Sequence, residues 1–405
     1  MTLITAARRR GAEQSEPNDV PRLFRVSLYA ILILGAVLGL PQIGRYSLLP
    51  VGTLIDAWVI LFILGCIFRG YTYQVYLFLF LVGYLVTRFV PALYVSAPLH
   101  DFLQAYRWVL YLIAFTLAMG RRWGPTKPLV RLTWALILLA LVKALLTRAV
   151  AGPNSRSGLL IENNFEIALF CGLVVVIYSQ LSGRSRFWIV ATLGALTVLS
   201  GSRSGAVAFA VLAIYAMSQA KNAGLLLRFV FALAIPAAVI ALAQIFASRA
   251  ERGGVDRLNF ATVFFNETRD WSWLTWLFGT TPITPLSNRG CSSLAYYEAL
   301  FSSLGDGTCY SVILHSFALR VVYDAGIIGA AIAVVVTFYA LRRSGSSAWM
   351  ALGLTAIMIT NSLSVSGLNS PYVALPILLA ITTSVASKPY RVPDSIRARR
   401  LRSAS

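Results

Sequence analysis

The chain has 405 residues, of which 58% are hydrophobic and only 12% are charged, and this composition excludes an ordinary soluble domain. The formal net charge of +20 is compatible with nucleic-acid binding, but the basic residues lie in tails and in short segments between apolar runs. That placement indicates a membrane protein, so no nucleic-acid partner is expected.

Apolar segments along the chain are candidates for membrane spans, since about 20 apolar residues cross the hydrocarbon core of a bilayer. The seventh and eighth are short and share the connection Ser200–Gly205, so the number of spans depends on that hairpin. We predict an all-α polytopic membrane protein with about 12 transmembrane helices and one long extracytoplasmic loop. The segments are 24–44, 47–68, 73–92, 104–120, 129–150, 159–180, 187–201, 203–220, 226–247, 313–341, 347–365 and 371–387.

The division of the chain follows from these spans, and it leaves no soluble domain large enough to fold alone. The loop has no bilayer-spanning stretch, and long loops are where a membrane protein carries chemistry outside the lipid. The predicted parts are a basic tail at 1–22, helices one to nine at 23–247, the loop at 248–312, helices ten to twelve at 313–387 and a basic tail at 388–405.

The orientation follows from the basic residues. With a cytoplasmic N-terminus, most of the 35 Lys and Arg fall on the cytoplasmic side, as the positive-inside rule requires. Both termini are then cytoplasmic, the loop lies outside, and the tails are expected to contact anionic lipid headgroups.

The cysteines agree with this orientation. Cys291 and Cys309 share the outer loop, where an oxidising compartment allows a disulfide between them. Cys66 and Cys171 lie in apolar spans and are expected to pack as small hydrophobic residues. Neither a metal-ligand set nor a Gly-rich phosphate loop is recognised, so no metal and no other cofactor is expected.

His315 stands at the outer mouth of the tenth predicted span, immediately after the long loop. An imidazole that titrates near neutrality is suited to accept a proton from a hydroxyl at a membrane surface. The alternative is an interfacial histidine that only hydrogen-bonds a loop carbonyl.

Arg203 lies between two short spans on the predicted outer side, where an arginine departs from the positive-inside rule. Gly201 and Gly205 beside it would let a ligand approach the backbone closely. A guanidinium binds phosphate oxygens in bidentate fashion, so Arg203 is a candidate phosphate ligand; a snorkelling arginine is the alternative.

Glu162 and Glu166 open the sixth predicted span and, at positions i and i+4, are expected to share a helix face. They would orient sugar hydroxyls, pair with Arg156 or serve as a base, and a structural salt bridge is the alternative.

Further charged residues complete the candidate site. Lys143 lies in the fifth span, where it either faces the interior or snorkels outward. Arg257 and Arg269 of the loop either add positive charge over a bound anion or are solvated. Asp56 and Asp324, in the second and tenth spans, are candidate counter-ions for the arginines.

This arrangement resembles the O-antigen ligase and O-antigen polymerase superfamily of bacterial inner-membrane glycosyltransferases. The similarity in topology covers nearly the whole chain. The chain departs from the family in Ser316, where the family often has Asn, and in the acid-rich stretch from Glu162 to Glu166. The matching motifs are Ser202-Arg203-Ser204-Gly205, His315-Ser-Phe-Ala-Leu with Gly326-Ile-Ile-Gly329 following, and Arg156-Ser-Gly158 with Asn164.

The resemblance implies an inverting transfer from an undecaprenyl-diphosphate-linked saccharide at the periplasmic face, without metal or nucleotide. Arg203 and an outer-loop arginine, Arg257 first and Arg269 second, would hold the diphosphate. His315 would orient or deprotonate the acceptor hydroxyl, with Glu162 and Glu166 as further candidate catalytic groups. Contacts to the diphosphate or the sugar are also expected from Arg156, Asn164 and Lys143.

The acceptor separates the two activities of that superfamily: a growing lipid-linked glycan for a polymerase, or lipid A-core for a ligase. The two glutamates would engage repeat-unit sugars, which slightly favours a polymerase of O-antigen or exopolysaccharide, with a chain-length regulator as a further partner. A twelve-span secondary transporter is the alternative of another class. The major superfamily of such transporters has its long loop in the middle of the chain and on the cytoplasmic side. It also has a basic Gly-Asp-Arg signature after the second span, where this chain has Ile67-Phe-Arg-Gly-Tyr-Thr.

Reporter fusions test the predicted orientation. Alkaline phosphatase joined after Pro285 is expected to be active, because the enzyme needs an oxidising compartment and the loop lies outside. Green fluorescent protein joined after Ser405 is expected to fluoresce. An inactive phosphatase at Pro285, with expression confirmed by blotting, would contradict the orientation.

Overall fold

A computed structural model describes residues 19–68, 74–94, 98–152, 155–219 and 256–385. In these ranges the chain is helical and holds no strand, apart from one isolated backbone bridge between Asp19 and Arg122. The all-α prediction is therefore confirmed for the described residues. The ninth predicted span at 226–247 and the C-terminal tail at 388–405 lie outside them.

Fourteen helices occur in the described part of the chain, joined in places by short 3-10 turns. The helices are α1 (Arg22–Gly39), α2 (Val51–Phe68), α3 (Val75–Tyr94), α4 (Leu99–Ala118), α5 (Lys127–Ala151), α6 (Asn163–Ile177), α7 (Gly183–Ser200), α8 (Arg203–Gln219), α9 (Asp256–Glu267), α10 (Trp273–Phe278), α11 (Asn288–Ser293), α12 (Phe317–Arg343), α13 (Ala348–Ser362) and α14 (Pro371–Ser384). The 3-10 turns are Tyr178–Gln180, Ala295–Leu300, Ser311–Leu314 and Gly367–Asn369.

Six of the described helices are long and apolar enough to cross a membrane: α1, α2, α3, α5, α12, and α6 together with its 3-10 continuation to Gln180. Helices α13 and α14 are apolar but shorter. These helices indicate a membrane protein, whereas the number of about 12 spans stays a prediction.

The centre of the bundle is formed by α4, α6 and α14, which are buried along most of their length. Helix α6 packs closely on α14, where a Cβ atom added to Gly172 would lie 2.6 Å from Cβ of Pro376. Helix α3 is the opposite case, since only 11% of its apolar window is buried. A helix that is apolar all round and uncovered by protein is suited to face lipid.

The two ends of the bundle differ in what they carry. One end carries Arg121 and Arg122, which follow α4. Beside them the Trp123 N–H donates to the Thr382 carbonyl of α14 over 3.0 Å. At the other end lie the connections 40–50, 155–162, 200–203 and 363–370, together with the segment 256–316. We call this segment the lobe, and the end that carries it the lobe end.

The lobe is a small helical unit with its own apolar core. Phe260, Phe264, Leu286 and Leu294 belong to that core, and a disulfide joins Cys291 to Cys309. The lobe is attached to α4 through Asp101, because the Ser302 hydroxyl donates to its carboxylate over 2.9 Å and the Ser303 N–H over 3.2 Å.

A break in α12 forms the second attachment of the lobe. Gly326 has φ +68°, a left-handed conformation that interrupts the helix and frees the carbonyls before it. The Tyr323 carbonyl accepts from the Thr280 N–H over 2.9 Å, and the Asp324 carbonyl accepts from the Tyr106 hydroxyl over 2.9 Å. The lobe and α4 therefore complete the hydrogen bonds that α12 lacks.

Gly326 can be tested directly by substitution. A Cβ atom there would lie 2.1 Å from the Leu277 carbonyl oxygen. We expect Gly326→Ala to destabilise the fold by about 2–3 kcal/mol or more, because backbone strain adds to the clash. Gly83→Ala in α3 is the matched control, since a Cβ there meets nothing within 4 Å. Thermal unfolding in lipid nanodiscs is the measurement. Equal melting temperatures of the two variants would contradict the close contact between Gly326 and the lobe.

Candidate functional site

A cavity of about 380 Å³ opens at the lobe end between three connections of the bundle. Its walls come from residues 46–53 before and at the start of α2, 160–165 at the start of α6, and 366–372 at the start of α14. Arg107 of α4 also lines it. The volume is in the range of about 300–1,000 Å³ that is typical of small-molecule sites.

Arg107 is held in place by an ion pair with Asp56 of α2. Its Nη1 donates to Asp56 Oδ2 over 2.7 Å, and the Tyr111 hydroxyl donates to the other oxygen of the same carboxylate. Arg107 Nε is buried without a hydrogen-bond partner among the described residues. Asp56 is the counter-ion predicted from the sequence, whereas Arg107 was not predicted. A basic residue inside the fourth apolar span was the signal that could have found it.

Asn369, which lines the cavity, is hydrogen-bonded to the backbone of α4. Its Nδ2 donates to the Gln104 carbonyl over 2.7 Å, and its Oδ1 accepts from the Trp108 N–H over 2.9 Å. Those two backbone groups would bond each other in an undisturbed helix. Arg320 Nη2 of α12 donates to the same Gln104 carbonyl over 3.4 Å. One fully buried amide therefore links α4 with the connection to α14.

Arg156 and Glu162 are exposed beside the mouth of the cavity, close to Tyr46. Burial raises the pKa of the Tyr46 hydroxyl, the negative charge of Glu162 raises it further, and Arg156 opposes both effects. The ring also packs near Gly158, where an added Cβ would lie 3.0 Å from it. Within the predicted segment from Arg156 to Glu166, the residues that line the cavity are Leu160, Ile161 and Phe165.

The expectation that Glu162 and Glu166 share a helix face is not met. Helix α6 begins at Asn163, so Glu162 precedes it with extended backbone and stays exposed, whereas Glu166 is buried. The Glu166 carboxylate accepts from the N–H groups of Leu159 and Leu160 over 2.9 and 2.8 Å. Its predicted catalytic role stays a prediction, while its hydrogen bonds position the wall of the cavity.

Lys143 is fully buried and likewise bonds backbone groups of a connection that contributes residues to the cavity. Its ammonium donates to the carbonyls of Gly39 and Arg45 over 2.7 and 2.8 Å. These bonds fix the connection between α1 and α2. Neither Lys143 nor Glu166 is among the residues that line the cavity.

Arg203 begins α8 and lies at the hairpin that the sequence analysis singled out. The hairpin is joined to the start of α6, because the Ser202 hydroxyl donates to Asn164 Oδ1 over 2.7 Å. Asn163 Nδ2 donates to the Ser200 carbonyl over 2.7 Å. The structure therefore brings the predicted residues Arg203 and Asn164 into one region, adjoining the wall formed by α6.

His315 has φ +54°, which is the left-handed region that residues other than glycine rarely adopt. The conformation ends the 3-10 turn Ser311–Leu314, so α12 begins at Phe317 rather than at 313. The imidazole lies 5.4 Å from the Phe260 ring and 5.5 Å from the Tyr297 ring, between centroids. Such strain costs about 1–3 kcal/mol and is found preferentially at functional sites.

The segment after His315 contacts the same connection that lines the cavity. The Ser316 hydroxyl donates to the Ser362 carbonyl over 3.0 Å, and the Phe317 N–H donates to the Val365 carbonyl over 2.9 Å. Ser366, the next residue, lines the cavity. The two residues after His315 are therefore bonded to the connection that contributes Ser366 to the cavity.

The two candidate arginines of the outer loop lie in α9 and directly after it. Arg257 lies in α9, and its side chain is outside the described part of the chain. Arg269 follows α9 and is exposed. In the described residues no group of three or more His, Cys, Asp or Glu is arranged to hold a metal ion.

No family model, no curated protein and no solved structure matches the chain.

The buried and exposed glutamates form a matched pair for testing. Glu166→Gln is expected to lower the free energy of unfolding by about 1–3 kcal/mol, because the amide turns a donor towards the N–H groups it must accept from. Glu162→Gln is expected to leave it within about 0.5 kcal/mol, as for most surface substitutions. Thermal unfolding of both purified variants is the measurement, and equal stabilities would show that the Glu166 bonds contribute nothing.

Proposed function

We propose that the chain is a membrane glycosyltransferase that moves a saccharide from an undecaprenyl-diphosphate carrier to an acceptor hydroxyl at the lobe end. The observation that carries the proposal is the strained histidine where the lobe enters α12, one connection away from a polar and aromatic cavity. A side chain that can transfer protons and is held in a costly backbone conformation is a strong candidate for a functional residue.

The reaction requires little from the protein beyond positioning and charge. The acceptor oxygen forms a bond to the anomeric carbon as the bond from that carbon to the diphosphate breaks on the opposite face. His315 takes the hydroxyl proton, and the carrier diphosphate leaves as an anion. Arg203, with Arg257 or Arg269 of the lobe, would stabilise that developing charge.

The membrane supplies the route for such a substrate. A lipid-linked donor keeps its acyl chain in the bilayer, so its diphosphate must be met at the surface of the bundle. Helices apolar enough to span a membrane lie beneath the lobe, and α3 presents an uncovered apolar surface next to it. In this proposal the chain is a multi-pass protein of the bacterial inner membrane, with about 12 spans and both termini cytoplasmic.

Exposed Glu162 at the mouth of the cavity supports a contact with sugars that extend beyond it. A polymerase engages such repeat units on both donor and acceptor, so we favour a polymerase of O-antigen or exopolysaccharide over a ligase to lipid A-core. The distinction is an outcome of the experiment that follows.

The proposal is tested by deleting the gene and restoring it with the wild type, His315→Ala, Arg203→Ala or His100→Ala. His100 is the matched control, because it is the other histidine and is 75% exposed. Loss of a general base costs about 10²–10⁴ in rate, so His315→Ala is expected to abolish long surface glycans. Chain-length profiles of the surface polysaccharide are the measurement.

Each profile has a distinct meaning. Loss of long chains with single repeat units retained supports a polymerase, and lipid-linked polymer with bare core supports a ligase. Unchanged glycans in a deletion strain without a redundant enzyme would refute both activities. Full rescue by His315→Ala would remove the role given to the histidine.

A further inference from the structure

We infer that the cavity at the lobe end binds an uncharged sugar ring, with Arg107 and the aromatic side chains around it as the contacts. The inference rests on the proposed function for the identity of the glycan that supplies this ring. It adds a recognition site whose lining residues include neither the histidine nor the arginines assigned to the diphosphate.

The aromatic side chains of the cavity suit the apolar face of a pyranose. Tyr46, Phe165 and Tyr372 all line it, and the Phe165 and Tyr372 rings lie 6.5 Å apart between centroids. Tyr46 stands at the mouth with 45% of its surface exposed. Large rigid rings with one polar group give contact area and a hydrogen bond at low entropic cost.

The polar groups of the cavity suit hydroxyls rather than a single ion. Ser47, Thr53, Ser366 and Ser370 line it together with the Arg107 guanidinium. In the part of the chain that the structure describes, Nε of that guanidinium has no hydrogen-bond partner, although it is buried. The guanidinium is planar and carries several N–H donors, so those that do not bond Asp56 can donate to a hydroxyl or ring oxygen of a bound sugar.

The charge balance of the cavity favours a neutral ligand. Arg107 is the charged residue among those that line it, and its ion pair with Asp56 offsets the positive charge. Tyr111 donates to the same carboxylate, so Asp56 is occupied on both oxygens. A diphosphate or an acidic sugar would need an excess of positive charge that this pair does not leave.

The binding test uses the full chain in lipid nanodiscs, because glycosidic detergents carry a sugar headgroup that would compete. The neutral probes are the methyl glycosides of glucose, galactose, mannose and rhamnose, and the anionic probes are methyl glucuronoside and inorganic pyrophosphate. Saturation-transfer NMR and titration give the affinities. We expect at least one neutral glycoside to bind saturably and more tightly than either anionic probe.

Two variants test the assigned contacts. Tyr46→Ala is expected to weaken the best neutral glycoside about tenfold, which corresponds to about 1.4 kcal/mol. Its matched control is Tyr76→Ala, at an 89% exposed tyrosine of α3 that is not part of the cavity. Asp56→Asn leaves the guanidinium charge unbalanced, so this variant is expected to shift preference towards methyl glucuronoside.

The outcomes separate this inference from the proposed function. Tighter binding of pyrophosphate or glucuronoside by the wild type would overturn the inference in favour of an anion site. No saturable glycoside binding by the folded chain, or equal effects of Tyr46→Ala and Tyr76→Ala, would also overturn it. Either result can occur while the deletion strain still loses its glycans, which leaves the proposed function intact. If the purified chain binds a neutral glycoside but deletion of its gene changes no glycan, the sugar site stands and the proposed function is refuted.

Discussion

Water is missing inside a bilayer, so any peptide group freed by a break in a spanning helix must be bonded by another part of the protein. Gly326 breaks α12, and the freed carbonyls of Tyr323 and Asp324 accept from Thr280 and Tyr106. Thr280 belongs to the lobe and Tyr106 to α4. One break in one helix therefore joins three parts of the molecule and holds the lobe over the bundle.

The same requirement explains the polar side chains buried near the lobe end. Lys143 bonds carbonyls of the connection between α1 and α2, Glu166 bonds N–H groups at the start of α6, and Asn369 bonds both a carbonyl and an N–H of α4. Each completes backbone groups that would otherwise stay unsatisfied in a medium of low polarity. The backbone groups that they bond belong to the segments that form or adjoin the cavity walls.

Much of the fold could be predicted because it depends on local patterns. In the part of the chain that the structure describes, the predicted apolar runs correspond to helices. The candidate site was predicted less completely. Glu162 and Glu166 have the spacing of one helical turn, but the helix starts between them and separates their environments. Arg107 alone in an apolar span resembles a snorkelling arginine until its partner on α2 is known.

The sequence by itself determined the all-α class, the apolar segments and the positions of the lobe and its cysteines, because hydropathy and composition act over a few neighbouring residues. Only the tertiary structure decided which charged and polar groups meet. Arg107 pairs with Asp56 across 51 residues, and Asn369 reaches Gln104 across 265. Such contacts depend on which helices pack together, and that packing is a property of the whole chain rather than of any segment of it.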